Sequence, residues 1–130
     1  MALKKRMETI LIIGIAGFIG ANVRYYVSLG AAQWFGTTFP WGTLLINFSG
    51  SFLLGMFTAW FGNRIALDPR IRLFIAVGFF GAYTTFSTYA NESIALFRSG
   101  EWISALANIL LTNGLCLLGA FFGLLIGNRL

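Results

Sequence analysis

Four apolar runs divide the chain: Ile10 to Trp34, Trp41 to Phe61, Leu73 to Phe97, and Trp102 to Gly127. Each has at least the roughly 20 residues needed to cross a hydrocarbon core of about 30 Å at about 1.5 Å per residue. The links between them are too short for a soluble domain, so residues 1–130 read as one all-α unit of four transmembrane helices. The composition agrees, with 58% hydrophobic and only 10% charged residues, outside the usual range of soluble globular domains.

Lys4-Lys5-Arg6 before an apolar run resembles the start of a secretory signal peptide. The run is too long, no small-residue cleavage site is evident and three further spans follow, so it reads as a first membrane helix. Cys116 is the sole cysteine and histidine is absent. An intrachain disulfide and a Cys/His metal cluster are thereby excluded.

The net charge of +5 suggests nucleic acid until the basic residues are placed. Lys4, Lys5, Arg6, Arg64, Arg70, Arg72 and Arg129 share one side of a four-span topology; the other side has Arg98, and Arg24 lies within the first span. The positive-inside rule then puts both termini in the cytoplasm. The basic residues face anionic lipid, with no nucleic acid partner.

The third run contains a contradiction. Gly78 to Glu92 reads Gly-Phe-Phe-Gly-Ala-Tyr-Thr-Thr-Phe-Ser-Thr-Tyr-Ala-Asn-Glu, polar and glycine-broken at membrane depth. Non-helical backbone survives there only where protein buries it or it lines an aqueous cavity. The segment therefore predicts a helix broken near its middle, a partner and a pathway. Gly78 and Gly81 are expected to loosen the helix, while Thr84, Thr85, Ser87 and Thr88 offer hydroxyls in place of lost backbone partners. Freed carbonyls can hold a cation. Phe86 and Tyr89 share a helical face, either packing as ordinary apolar rings or presenting electropositive edges to an anion.

Two stripes accompany it. Thr43, Asn47, Ser51 and Gly55 recur every fourth residue in the second span, as do Ser104, Asn108, Thr112 and Cys116 in the fourth. Asn47 reads as interhelical glue or as a pore-lining donor. Arg24 either snorkels to the headgroups or draws anions into a vestibule, and Glu92 is either an interfacial carboxylate or part of a polar track. Gly14, Gly17 and Gly20 clear a face of the first helix, and Gly119, Gly123 and Gly127 form a double GxxxG pattern suited to intrachain packing or a dimer face. Many weak donors let a small anion shed water and still leave, where a buried lysine would trap it. No nucleophile-base or metal-ligand constellation suggests an enzyme.

The strings Gly-Ala-Tyr-Thr-Thr-Phe-Ser-Thr-Tyr-Ala-Asn-Glu and Pro-Trp-Gly-Thr-Leu-Leu-Ile-Asn-Phe-Ser-Gly, with the Gly20 to Arg24 run, resemble the Fluc/CrcB fluoride channels over essentially the full length. The resemblance implies an antiparallel dual-topology dimer in the bacterial inner (plasma) membrane, with two fluoride pores. It implies a central structural sodium ion on the backbone carbonyls of Gly81 and Thr84 from both chains. Phe86 and Tyr89 match the family's phenylalanine box, Asn47 its pore asparagine and Arg24 its first-span arginine. Thr43, Thr88, Glu92 and Thr112 fall on its hydroxyl and carboxylate track. The implied role is passive export of fluoride after hydrogen fluoride enters and dissociates. Tyr89 departs from the family's usual phenylalanine, and Cys116 and Ala120 weaken the fourth-span track.

The one-sided basic residues suggest a fixed orientation, and hence one half of a heterodimer. A small proton-coupled exporter of four spans would need a membrane-embedded carboxylate in the first span, whereas Glu8 lies at its edge. A non-transporting anchor would leave the polar stripes without a purpose.

Overall fold

The computed structural model describes residues 2–62 and 68–130, and all four spans form helices long and apolar enough to cross a membrane. They are α1 (Ala2–Phe35), α2 (Trp41–Gly62), α3 (Pro69–Arg98) and α4 (Trp102–Gly127). Arg64 lies outside the described residues.

α1 begins eight residues before the expected Ile10. Its 34 residues extend about 51 Å, against a hydrocarbon core of about 30 Å, so the Lys4-Lys5-Arg6 turn continues the helix beyond lipid. α3 likewise starts before Leu73, because Asp68 caps it by accepting the Arg70 N–H at 2.9 Å and Pro69 occupies the first turn. Arg70 also meets Glu8 of α1 at 2.8 Å, which puts the start of both helices on one side.

The connection from α3 to α4 is tight because Gly100 adopts a left-handed φ of 84°. The Glu101 N–H reaches the Leu96 carbonyl at 2.9 Å and the Gly100 N–H that of Phe97 at 3.1 Å, closing the end of α3 as a Schellman motif.

Small residues set the helix pairing. A Cβ on Gly20 would overlap the Phe79 carbonyl and one on Gly78 the Ala16 side chain, so α1 and the first half of α3 touch backbone to backbone. Cβ atoms on Gly55, Gly123 and Gly127 would overlap the Ala120, Phe52 and Met56 carbonyls. The double GxxxG pattern is thus consumed by α2 of the same chain. Gly14, expected to share the α1 packing face, has nothing within 4 Å of its would-be Cβ.

α3 is wound as a π-helix over Leu73–Phe80 and breaks at Thr84 and Thr85, both extended at φ −80°, ψ 158° and φ −152°, ψ 119°. The break therefore falls on β-branched residues suited to extended backbone, not on the glycines. Gly78 serves the approach of α1, and Gly81 keeps helical angles. Before the break α3 packs on α1; after it, Phe86–Arg98 packs on α4. Ile46, Phe80 and Tyr83 form the core beside the break, and the Tyr83 hydroxyl pairs with Ser49 Oγ at 2.8 Å.

Candidate functional site

A helix break needs new partners for its peptide groups, and Asn47 supplies them. Its Nδ2 donates to the Thr85 carbonyl at 2.9 Å while its Oδ1 accepts the Thr85 N–H at 2.8 Å. Gly50, one turn along α2, lets the break come this close, since a Cβ there would overlap the Thr84 methyl. Asn47 is thus an interhelical link, and it also borders a cavity. The second N–H of its amide is left over for a ligand.

Thr85 caps the second half of α3. Its Oγ1 accepts the Thr88 N–H at 3.2 Å and donates to Thr88 Oγ1 at 3.0 Å. In an unbroken helix the Thr85 N–H would close on the Gly81 carbonyl and the Thr88 N–H on that of Thr84. Both amides are diverted, to Asn47 and to the Thr85 hydroxyl. Gly81 is exposed and Thr84 half-buried.

Two cavities adjoin the break, and Thr85 borders both. One, of about 340 Å³, is lined by Asn47, Ser51, Phe86, Tyr89, Thr112 and Asn113 among others. The second, of about 240 Å³, takes Arg24, Ser28, Thr43 and Thr88. The anticipated residues are therefore gathered around one point of the chain but divided between two spaces. Glu92 joins the second set through Thr43, whose hydroxyl donates to Glu92 Oε1 at 2.9 Å. Glu92 Oε2 is buried without a hydrogen-bond partner among the described residues. Arg24 is half-buried against the second cavity.

Tyr89 is buried and Phe86 largely exposed, their ring centroids 5.5 Å apart. Thr112 donates to Asn108 Oδ1 at 3.1 Å, and Asn108 donates to Ser93 Oγ at 2.9 Å. The fully buried Asn108 therefore ties α4 to α3, leaving Thr112 as the member of that pair that borders the cavity.

Sequence reasoning overlooked Asn113, which donates to the Tyr89 hydroxyl at 2.7 Å. It lies beside the four-residue stripe of α4, so helical periodicity gave no signal for it. Thr85 was visible only as one hydroxyl of several, because its pairing with Asn47 joins residues 38 positions apart.

The four long apolar helices define a multi-pass membrane protein whose third span is broken near its middle and clamped there by an asparagine of the second. The chain belongs to the CrcB-like family: the model of "CrcB-like protein, Camphor Resistance (CrcB)" matches residues 11–124. It is similar to the fluoride-specific ion channel FluC of Koribacter versatilis (strain Ellin345), 50% identical over 105 residues, 81% of this chain and 83% of that one. The FluC of Sulfurihydrogenibium sp. (strain YO3AOP1) is 44% identical over 124 residues, 95% of this chain and all of that one. The FluC of Shewanella halifaxensis (strain HAW-EB4) is 44% identical over 117 residues, 90% and 94% of the two chains.

Proposed function

We propose that this chain is the subunit of a fluoride-selective channel that lets the anion run passively out of the cell across the plasma membrane. The observation that carries the reading is the Asn47–Thr85 clamp, with cavities beside it lined by hydroxyls, an amide and aromatic edges. Such donors replace the water of a small anion without binding it too tightly. The names of relatives up to 50% identical point the same way.

In this reading Arg24 attracts fluoride to the cavity with Thr43 and Thr88, and Glu92 orders the Thr43 hydroxyl. Asn47, Phe86, Tyr89 and Thr112 serve the other cavity. A lone chain leaves Phe86 76% exposed, which favours a second, antiparallel copy covering it and two pores per dimer.

The carbonyls of Gly81 and Thr84 suit a structural sodium ion, since a hard cation takes oxygen ligands and the Thr85 and Thr88 amides that would regularly bond them are diverted. Both residues are accessible for a second chain to contribute the same pair. When bound, the ion would supply positive charge where the chains cross.

The one-sided basic residues favour a second arrangement, pairing with an oppositely inserted homologue; the Glu8–Arg70 bridge at 2.8 Å fits the topology they predict. Glu8 sits in this exposed bridge at the edge of the first span, which argues against the membrane-embedded carboxylate a proton-coupled exporter would need there.

Purified protein in liposomes, with fluoride and chloride efflux read by electrode under a potassium gradient, tests the function. Fluoride efflux without chloride efflux is expected. Flux that appears only on adding an oppositely oriented homologue supports the heterodimer, and a carboxyl-terminal topology reporter seen equally on both sides removes it.

A further inference from the structure

The Asn113 amide nitrogen lies 2.7 Å from the Ile109 carbonyl and 2.7 Å from the Tyr89 hydroxyl. A carbonyl only accepts, so the amide atom facing Ile109 is the nitrogen; the flipped amide would set two acceptors against each other. That nitrogen carries protons and no available lone pair, so toward Tyr89 it also donates. The phenol oxygen is therefore the acceptor of this bond, and its own proton lies elsewhere.

Tyr89 is 7% exposed, and the 2.7 Å bond to Asn113 is the one hydrogen bond its hydroxyl makes among the described residues. Its ring borders the cavity of about 340 Å³ together with Asn47, Phe86 and Thr112. From this proton inventory we infer that Asn113 fixes Tyr89 as an O–H donor into the cavity, creating a binding site for a small, hard anion at the phenolic proton. The inference rests on the channel reading for the anion's identity, fluoride, but not for the direction of the proton.

Two properties follow from the chemistry. Accepting the Asn113 N–H polarises the phenol and strengthens it as a donor. A charge-assisted O–H bond is short and strong, so it favours the smallest halide, which concentrates its charge most. The site is neutral, so release remains fast enough for conduction. Asn113 acts only through Tyr89 and is a positioning residue.

The test uses the full-length protein with two readouts. Tyrosine ultraviolet difference spectra are recorded during titration with sodium fluoride and with sodium chloride. Wild type is expected to give a fluoride-dependent change that Tyr89→Phe lacks, that Asn113→Leu weakens, and that chloride does not evoke. Identical spectra for wild type and Tyr89→Phe overturn the inference whether or not the protein conducts.

In liposomes, Tyr89→Phe is expected to lower fluoride efflux about tenfold, the scale of one hydrogen bond to a charged group. Asn113→Leu lowers it less, and the double variant matches Tyr89→Phe alone. A further drop in the double variant assigns Asn113 a separate structural role and overturns the positioning step. Unchanged or faster efflux in Tyr89→Phe makes the hydroxyl a bystander or an obstruction, and likewise overturns the inference while leaving the channel reading intact. Absence of fluoride flux in wild type sinks the channel reading, and the spectra then decide the inference alone.

Discussion

Asn47 and Thr85 exchange two hydrogen bonds, one in each direction, at 2.9 and 2.8 Å. One side chain of α2 thus replaces the helical acceptor lost by the Thr85 N–H and adds a donor to the Thr85 carbonyl. Few residues can do this, because the position needs a donor and an acceptor on one planar group. Asn47→Ala is expected to destabilise the protein by about 1–2 kcal/mol, since it strands the half-buried Thr85 N–H and takes a donor from the Thr85 carbonyl, tempered by the weak hydrogen-bond differences measured in membranes. Asn47→Asp keeps the acceptor for the Thr85 N–H but faces the Thr85 carbonyl with a second oxygen, so it should be no better than alanine. Thermal unfolding in detergent checks the order; a wild-type melting point in either variant contradicts the clamp.

Glycine positions on α4 give a prediction independent of the ion pathway. Gly123→Ala would press a methyl against the Phe52 carbonyl, and overpacking of this kind costs about 1–3 kcal/mol. Gly14→Ala has open space and should be neutral or slightly stabilising through better helix propensity. Comparing the two melting points tests whether the GxxxG pattern is spent within the chain.

Phe86 is 76% exposed, at a ring distance of 5.5 Å from Tyr89. Phe86→Ile removes the ring edge and keeps an apolar side chain. Fluoride flux should fall roughly two- to tenfold, the scale of aromatic contacts of about 0.5–1.5 kcal/mol, with little change in the elution volume on size-exclusion chromatography. Normal flux in this variant counts against an aromatic pathway.

The Glu8–Arg70 bridge is exposed, with side chains 39% and 60% accessible. Arg70→Ala should therefore change stability by less than about 1 kcal/mol and leave fluoride flux unaltered. A large loss of flux would mean that this charge does more than pair with Glu8.

Much of this fold is written in local pattern. Apolar length marks the spans, and the Thr-Thr-Phe-Ser-Thr string locates the irregular backbone. The stripes through Asn47 and Thr112 predict the faces that meet. What local pattern could not decide is which of several small or polar residues does which task. Gly78 and Gly81 looked like breakers, yet the chain breaks at Thr84 and Thr85, because Asn47 stabilises extended backbone there and Gly78 is needed against Ala16. Asn108 and Thr112 share one stripe, but Asn108 is spent on Ser93 and Thr112 borders the cavity. Asn113 lies off the stripe and is defined only by its distance to Tyr89, 24 positions earlier. Such roles depend on contacts between distant segments, which periodicity does not encode.

The most direct measurement of the central claim is the reversal potential of the current through the purified protein in a planar bilayer, under a fluoride gradient with chloride equal on both sides. A passive fluoride-selective pore predicts a shift of about 59 mV for each tenfold fluoride gradient, with no need for a proton gradient. A reversal potential that ignores fluoride and follows the accompanying cation, or fluoride movement that requires a proton gradient, contradicts it.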